Sequence, residues 1–144
     1  MGLKVELKAG ERIIIGDSVI TNDDQRTRLV IEGEAPILRE KDILTVEHAD
    51  TPCKKIYLVV QLMYLSRDPK THHELYFTLM KETLGAAPST KAYFERINNQ
   101  ILTGNIYKAL KETQRLIEYE RELFEYAEGS ASVCANSAKN RASA

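Results

Sequence analysis

The stretch Lys8-Ala9-Gly10-Glu11-Arg12-Ile13-Ile14-Ile15-Gly16-Asp17 indicates how the first third of this chain folds. Ala9-Gly10 predicts a turn, the three isoleucines predict a short strand, and Gly16-Asp17 predicts a hairpin turn. A second stretch, Ala35-Pro36-Ile37-Leu38-Arg39-Glu40-Lys41-Asp42-Ile43, places charged side chains directly after an apolar pair. A small sheet with charged groups along one edge suits contact with a charged molecule. We therefore expect binding rather than catalysis.

Residues on either side of the first stretch continue the β pattern. Leu3, Val5 and Leu7 alternate with polar residues, which predicts a half-buried strand. Further strands are predicted at Val19-Ile20, Arg28–Ile31, Ile37-Leu38 and Ile43-Leu44. Such short strands cannot form two full layers, so a helix or a second subunit must cover their apolar face.

The pattern becomes helical after Thr51-Pro52. One helix is predicted to begin at Asp68-Pro69 and to stop at Gly85. The next begins at Ser89 or Thr90 and ends at Gly104-Asn105, and the last runs from Ile106 to near Gly129. Residues 56–65 fit a strand by their β-branched content or a helix by their length, and the Thr51-Pro52 start favours the helix.

Together these patterns predict an α+β fold with three parts. Residues 1–50 form a small antiparallel sheet or barrel-like unit, and residues 51–127 form a bundle of three or four helices. Residues 128–144 have no period and little apolar bulk, which predicts a disordered tail. Because so small a sheet leaves free edges, we expect a homodimer.

Composition limits the kind of protein further. The 144 residues carry a formal net charge of −1, and no basic tract is present, so nucleic-acid binding would depend on a local patch. Cys53 and Cys134 are too isolated for a disulfide framework or a zinc site, which indicates a reducing, cytoplasmic setting. The longest apolar run, residues 56–65, is about half a membrane span. We expect no membrane contact and no cofactor.

The candidates for catalysis or metal binding are weak. His72 and His73 are adjacent, so they point about 100° apart on a helix, whereas helical zinc ligands are typically three or four residues apart. Asp17, Asp23, Asp24 and Asp42 occur where turns favour aspartate. The seven tyrosines could stack on bases, but their helical spacing favours packing. The sequence therefore predicts no enzyme and no metal site.

The basic residues of the sheet allow two interpretations. They are Lys4, Lys8, Arg12, Arg39 and Lys41. Charged side chains protect free strand edges from pairing with other chains. The same side chains could clamp an RNA backbone, with Arg39 also stacking on a base or bonding it in a bidentate manner. Periodicity alone does not separate these interpretations.

Four motifs follow one another in a fixed order. They are Leu7-Lys8-Ala9-Gly10-Glu11, Leu38-Arg39-Glu40-Lys41-Asp42-Ile43, Thr51-Pro52 with Ile56-Tyr57 and Met63-Tyr64-Leu65, and Tyr107-Lys108-Ala109-Leu110 with Arg115-Leu116-Ile117-Glu118-Tyr119-Glu120. Together they resemble the FlbT family, flagellar regulators of alphaproteobacteria, over residues 3–124. The resemblance implies a cytosolic regulator that binds the 5′ untranslated leader of flagellin mRNA and changes its translation and lifetime, usually as a repressor.

A shorter resemblance concerns only the first forty residues. The order Gly10-Glu11, Ile15-Gly16-Asp17, Arg28–Ile31, Ala35-Pro36 and Arg39-Glu40 is similar to the carbon-storage regulator (CsrA) family. That family forms an interlocked β dimer that grips RNA loops through its first strand and one arginine. The resemblance implies that Arg39 matches this arginine, whereas only Lys8 remains of the basic pair before Gly10-Glu11.

A different class of function is also compatible with the sequence. The helical half could serve as a protein-interaction adaptor in flagellar assembly, acting on flagellin or its chaperone without direct contact with RNA. The slightly anionic overall charge favours this alternative.

Overall fold

The computed structural model describes residues 2–143, with side chains over residues 2–128. Five strands come first: β1 (Leu3–Leu7), β2 (Arg12–Ile15), β3 (Ser18–Thr21), β4 (Thr27–Ile31) and β5 (Ile37–Arg39). Four helices follow: α1 (Pro52–Leu65), α2 (His73–Ala86), α3 (Lys91–Leu102) and α4 (Ile106–Ser143). Short 3-10 turns lie at Glu40–Asp42, Val46–His48, Pro69–His72 and Pro88–Thr90. The α+β fold class is confirmed.

The strands form two small antiparallel sheets. One pairs β1 with β4, and the other has the order β3-β2-β5. Gly16, with φ of +63°, makes the tight turn between β2 and β3, as predicted. The described residues contain the predicted small antiparallel sheets but no closed barrel, because the two sheets share no strand.

The three-stranded sheet separates two apolar clusters. Ile13 points into a cluster with Val5 and Leu7 of β1, whereas the neighbouring Ile14 and the facing Leu38 join the helical core. This alternation follows from the pleat, which sends successive side chains to opposite faces. The sheet half and the helical half are therefore packed against each other, and the boundary at residue 50 stays a prediction.

Helix α1 lies at the centre of the helical core. Its residues Ile56, Val60 and Met63 are fully buried. Thr51 caps its start by accepting a hydrogen bond from the Lys54 backbone N–H at 3.2 Å. The preference for a helix over residues 56–65 is confirmed. The β-branched residues are accommodated because tertiary packing outweighs their helix propensity.

Three other boundaries differ from the predictions. Ile43-Leu44 is not a strand, because the chain leaves β5 through the turn Glu40–Asp42. Gly85 does not stop α2, which ends at Ala86 because Pro88 keeps Ala87, with φ of −140° and ψ of 81°, out of the helical conformation. Asp68-Pro69 begins a 3-10 turn, and α2 itself begins four residues later at His73.

The end of the chain was predicted to be disordered over residues 128–144. The backbone of α4 is assigned to Ser143, beyond the predicted end near Gly129. The side chains after Glu128 lie outside the described residues, and the disordered tail stays a prediction. Within the described part of the chain, none of the helices combines the length and hydrophobicity that a bilayer crossing requires.

Candidate nucleic-acid interface

A hollow of about 390 Å³ lies where the sheets meet the helices. It brings together residues of β1, β5, α1 and α4 that are far apart in sequence. Its lining is Leu3, Lys4, Val5, Ala35, Ile37, Arg39, Asp42, Tyr64 and Tyr107. We call it the junction hollow. It contains two of the five basic residues predicted to contact RNA, Lys4 and Arg39.

The strands fix the backbone positions of these two cations. Arg39 ends β5 opposite Ile13, and its side chain is half-buried. Lys4 pairs with Val30 in the two-stranded sheet and is exposed. Paired strands hold both Cα atoms in place, so the charged ends need to order only their own side-chain rotamers on binding a ligand.

Two tyrosines line the helical side of the junction hollow. Their ring centroids are 5.6 Å apart with an interplanar angle of 50°. The Tyr64 hydroxyl donates to the Ile37 carbonyl at 3.0 Å and accepts from the Ile37 N–H at 3.2 Å, which fixes its ring. Tyr107 is 43% exposed, so part of its ring is open to a ligand.

A second hollow lies next to the tyrosines. It has a volume of about 780 Å³ and shares Ala35, Tyr64 and Tyr107 with the junction hollow. Arg67 adds a cation to its lining, and Asp17 and Glu34 add two carboxylates. The two aromatic rings therefore contact both hollows, and an extended ligand could pass from one to the other over them.

Lys111 of α4 adds a third cation beside the junction hollow. Its Nζ lies 5.1 Å from the centroid of the Tyr107 ring and 3.4 Å from both carboxylate oxygens of Asp42. Burial tends to lower the pKa of Lys111, but the Tyr107 hydroxyl and the Asp42 charge outweigh it and raise that pKa. Lys111 is therefore charged at neutral pH.

Asp42 contributes the carboxylate among the described residues that line the junction hollow. Gln114 donates from Nε2 to Asp42 Oδ1 at 3.1 Å, and the Tyr57 hydroxyl donates to the Asp42 carbonyl at 2.6 Å. These bonds hold the turn against α1 and α4. The single negative charge of Asp42 is outnumbered by the positive charges of Lys4, Arg39 and Lys111. The site is therefore locally cationic, although the chain as a whole is anionic.

The other predicted cations lie around a different hollow of about 500 Å³. Lys8 and Lys41 line it together with Glu11 and Glu40. Arg12 forms an ion pair with Glu40 at 3.4 Å between Nε and Oε1, and both side chains are well exposed. The charges here compensate one another, so this hollow attracts phosphate less than the junction hollow does.

The structure thus divides the five predicted residues between two places. Lys4 and Arg39 meet at the junction hollow, whereas Lys8, Arg12 and Lys41 lie among glutamates.

Tyr64, Tyr107 and Lys111 were not predicted as site residues. The spacing of Tyr107 and Lys111, four residues apart and so on one helix face, is a signal that could have indicated the pair.

The candidates for metal binding remain separate from this site. His72 and His73 lie at the start of α2, where the His73 ring contacts Phe77 edge-on at 6.3 Å between centroids. Among the residues whose side chains are described, no group of three or more His, Cys, Asp or Glu is placed to hold a metal ion.

Fold and site define a small α+β protein with a cationic, aromatic-walled hollow at the junction of its sheets and helices. Cations beside aromatic rings suit single-stranded nucleic acid, whose phosphates and unstacked bases they can contact. Residues 3–124 match the family model described as "Flagellar protein FlbT". The chain belongs to the FlbT family, which confirms the stronger resemblance.

Curated relatives agree with this assignment. A "Probable flagellum biosynthesis repressor protein FlbT 1" of Bradyrhizobium diazoefficiens is 59% identical over 124 residues, covering 85% of each chain. A "Probable flagellum biosynthesis repressor protein FlbT" of Rhodopseudomonas palustris is 56% identical, covering 85% of this chain and 98% of the relative. The "Flagellum biosynthesis repressor protein FlbT" of Caulobacter vibrioides is 34% identical, covering 85% and 89%.

No solved structure matches this chain. The resemblance to the CsrA family stays a prediction.

Proposed function

We propose that this chain is a post-transcriptional repressor of flagellin synthesis. It binds the 5′ untranslated leader of flagellin mRNA in the cytoplasm and lowers the translation and stability of that transcript. The names of the relatives support a repressor role in flagellum biosynthesis. The protein acts by binding, without catalysis and without a cofactor.

The observation that carries the proposal is the junction hollow. Lys4, Arg39 and Lys111 supply cations for phosphates, and Arg39 has the planar fork that bonds a base edge or stacks on it. Tyr64 and Tyr107 offer aromatic surface at a rigid position, and stacking on such rings accepts every base. Single-stranded leader RNA combines both features, whereas a duplex exposes few bases.

Salt dependence tests the proposal directly. Binding of a labelled flagellin leader RNA should weaken linearly as log[salt] rises, because each neutralised phosphate releases counterions. Lys4→Ala should reduce that slope by about 0.7, the value for one contact on a single strand. Fluorescence anisotropy at four or five salt concentrations gives the slope.

Lys41→Ala is the matched control for Lys4→Ala. Lys41 is exposed and carries the same charge, but it shares its hollow with Glu11 and Glu40. Its loss should change the slope by less than the loss of Lys4. If the leader shows no affinity even at low salt, the RNA proposal is wrong.

The adaptor alternative makes a different prediction. An adaptor retains its protein partner in a purified pull-down after nuclease treatment and has no leader affinity at low salt. The formal net charge of −1 is the observation that favours it. The cationic junction hollow favours RNA binding instead, because its local charge is opposite to that of the whole chain.

We also propose that the protein is a homodimer. Strand β3 is a free edge of its sheet among the described residues, and Val19 on it is 61% exposed. Free edges with apolar side chains readily pair with a second strand. Val19→Lys should therefore convert a dimer into a monomer in light scattering. A wild-type chain that is monomeric at high micromolar concentration would contradict this prediction.

A further inference from the structure

The junction hollow contains a carboxylate that phosphate binding does not explain. Asp42 is 8% exposed and lines the hollow together with Lys4 and Arg39. A negative charge repels the RNA backbone, so a site that contacted only phosphates would be weakened by it. A carboxylate is instead an acceptor for hydrogen-bond donors, and the edges of unpaired bases supply such donors.

The turn Glu40–Asp42 brings this carboxylate to the same side of the chain as Arg39. Arg39 precedes the 3-10 turn as its N-cap residue, and Asp42 is the last residue of the turn. Because a 3-10 helix has about three residues per turn, positions three apart lie on one side. Both residues line the junction hollow, which agrees with this spacing. One ligand in the hollow therefore meets a donor fork and an acceptor side by side.

The guanidinium of Arg39 is available to such a ligand. The ion pairs of this turn are formed by its neighbours, Arg12 with Glu40 and Lys111 with Asp42. Among the side chains that the structure describes, Arg39 has no ion-pair partner. Its planar fork can therefore bond two adjacent acceptors without first breaking a salt bridge.

The carboxylate of Asp42 keeps part of its acceptor capacity. Oδ1 accepts from Gln114 at 3.1 Å and from Lys111 at 3.4 Å, whereas Oδ2 accepts from Lys111 alone among the described residues, also at 3.4 Å. Each carboxylate oxygen can accept about two hydrogen bonds. Oδ2 therefore has room for about one more donor, and the bonds to Oδ1 hold the carboxylate in place.

We infer that the junction hollow binds one unpaired guanine of the leader RNA, an inference that rests on the proposed function. The Arg39 fork matches the adjacent O6 and N7 acceptors of guanine, the commonest specific contact between arginine and a base. N1 adjoins the O6 position, so the N1–H and the N2 amino group are presented to the neighbouring Asp42. Tyr64 and Tyr107 offer their rings to the face of the base.

The other bases fit this arrangement less well. Adenine and uracil have no two adjacent acceptors, so neither can take both bonds from the Arg39 fork. Cytosine has adjacent O2 and N3 acceptors and an N4 donor, but its single ring covers less tyrosine surface than a purine does. We therefore expect affinity to decrease from guanine to cytosine, and then to adenine and uracil.

Short RNA probes test this inference on the full chain. Each probe is a labelled oligouridine of about seven nucleotides with one guanine, cytosine, adenine or uracil at its centre, measured by fluorescence anisotropy. The guanine probe should bind about tenfold more tightly than the adenine probe, as expected for one bidentate base contact. A 7-deazaguanine probe, which lacks the N7 acceptor, should lose most of this preference. Equal affinity for all four bases, or the tightest binding for cytosine, overturns the inference.

Asp42→Asn separates base recognition from charge. The amide has one acceptor oxygen, which Gln114 and Lys111 already use, so the preference for guanine over adenine should fall by about threefold or more. The oligouridine probe should bind at least as tightly as to wild type, because a repulsive charge is lost. A purely structural role of Asp42 would not change the guanine preference. An unchanged preference in a folded Asp42→Asn variant overturns the inference.

Glu40→Gln is the matched control for Asp42→Asn. Glu40 lies in the same turn and loses the same charge, but it lines the hollow with Lys8 and Lys41 instead. Its loss should leave the preference for guanine over adenine unchanged. If Asp42→Asn does not unfold cooperatively, the comparison of the four bases and 7-deazaguanine on the wild-type chain decides the question.

The failure of this inference can be distinguished from the failure of the proposed function. If the flagellin leader binds but the four probes bind equally well, RNA binding stands and guanine recognition is wrong. If neither the leader nor any probe binds at low salt, the proposed function is wrong. Free 5′-GMP should displace the guanine probe at least about tenfold more weakly than the unlabelled probe does, because it lacks the neighbouring phosphates. Equal displacement would show that the hollow takes a free guanine nucleotide, which overturns the reading of an RNA base.

Discussion

Arg39→Ala should weaken binding of the flagellin leader RNA by about 10- to 100-fold, or ~1–3 kcal/mol, the usual value of an arginine–base contact. Arg39 is half-buried at the end of β5, where it borders the junction hollow beside Tyr64 and Tyr107. Alanine removes both the charge and the planar fork. Anisotropy or gel shift with the labelled leader measures the loss.

A milder change at the same position separates charge from shape. Arg39→Lys keeps the positive charge but cannot stack or bond in a bidentate manner, so its affinity should fall between wild type and Arg39→Ala. The salt slope should stay close to that of wild type, because the phosphate contact is kept. If Arg39→Lys binds as weakly as Arg39→Ala, base contact outweighs phosphate contact.

Arg121→Ala is the matched control for the loss of one arginine. Arg121 lies on α4 ten residues after Lys111, or about 15 Å along the helix. It should leave leader affinity within about twofold of wild type, because exposed charges beyond a Debye length are largely screened. Cooperative thermal unfolding of each variant shows that the fold is kept. If Arg39→Ala binds the leader as well as wild type, the site is misplaced.

Local signals in the sequence predicted the parts of this fold that depend on few residues. Thr51-Pro52 marks the start of α1 because a capping hydroxyl and a proline at the first helical position suit only that place. Gly16 marks the β2–β3 turn because its φ is positive. Each of these features is decided within four or five residues, so it could be predicted from one sequence.

Boundaries that depend on competing local features were harder to predict. Gly85 resembles a helix stop, yet Pro88 determines where α2 ends. Ile43-Leu44 resembles a strand, but both residues pack on the helical core after a 3-10 turn. The choice between a sheet and a barrel-like unit also depended on pairing: because β1 pairs with β4, strands β2, β3 and β5 form a separate sheet and no closed barrel results among the described residues.

The arrangement of the candidate site could likewise be predicted only in part from the sequence. Arg39 and Lys4 could be selected from strand patterns, but nothing in the sequence places them beside Tyr64 and Tyr107. That proximity depends on how β5 packs on α1, through the bonds between Tyr64 and the Ile37 backbone. Tyr64 and Ile37 are 27 positions apart in the sequence, so no local pattern reveals their contact, which forms only in the tertiary structure.

Alkaline unfolding is the second large effect we expect. Burial raises the pKa of Tyr57 to about 12, with the charge of Asp42 adding to the shift and Gln114 opposing it. Burial also raises the pKa of Tyr76 and of the Cys53 thiol, the latter with help from the Glu120 charge. In the unfolded chain these groups titrate near ~8.5 for cysteine and ~10 for tyrosine.

The sign follows from the protonated form being favoured in the folded state. Below pH about 8.5 the folded and the unfolded chain both keep the protons of Tyr57, Tyr76 and Cys53. The stabilisation from these three groups is therefore fully present there. Above pH 10 the unfolded chain releases the Tyr57 proton while the folded chain keeps it, so the free energy of unfolding falls. Ionisation of Tyr57 in the unfolded chain should by itself lower the free energy of unfolding by about 2–3 kcal/mol at pH 12. The pKa values of Tyr76 and Cys53 are raised as well, so these two groups add to the loss.

Tyr57→Phe isolates one part of this effect. At pH 7 the variant should be less stable by about 1 kcal/mol, because the Asp42 carbonyl loses the Tyr57 hydroxyl. Between pH 10 and 12 its urea-unfolding free energy should fall less steeply than that of wild type, by up to about 1.4 kcal/mol per pH unit. Tyr126→Phe, at a side chain that is 76% exposed, should match wild type throughout. If Tyr57→Phe and wild type lose stability in parallel above pH 10, the Tyr57 phenol is not protected by the fold, and the packing of α1 against the Asp42 turn must be looser than the structure shows.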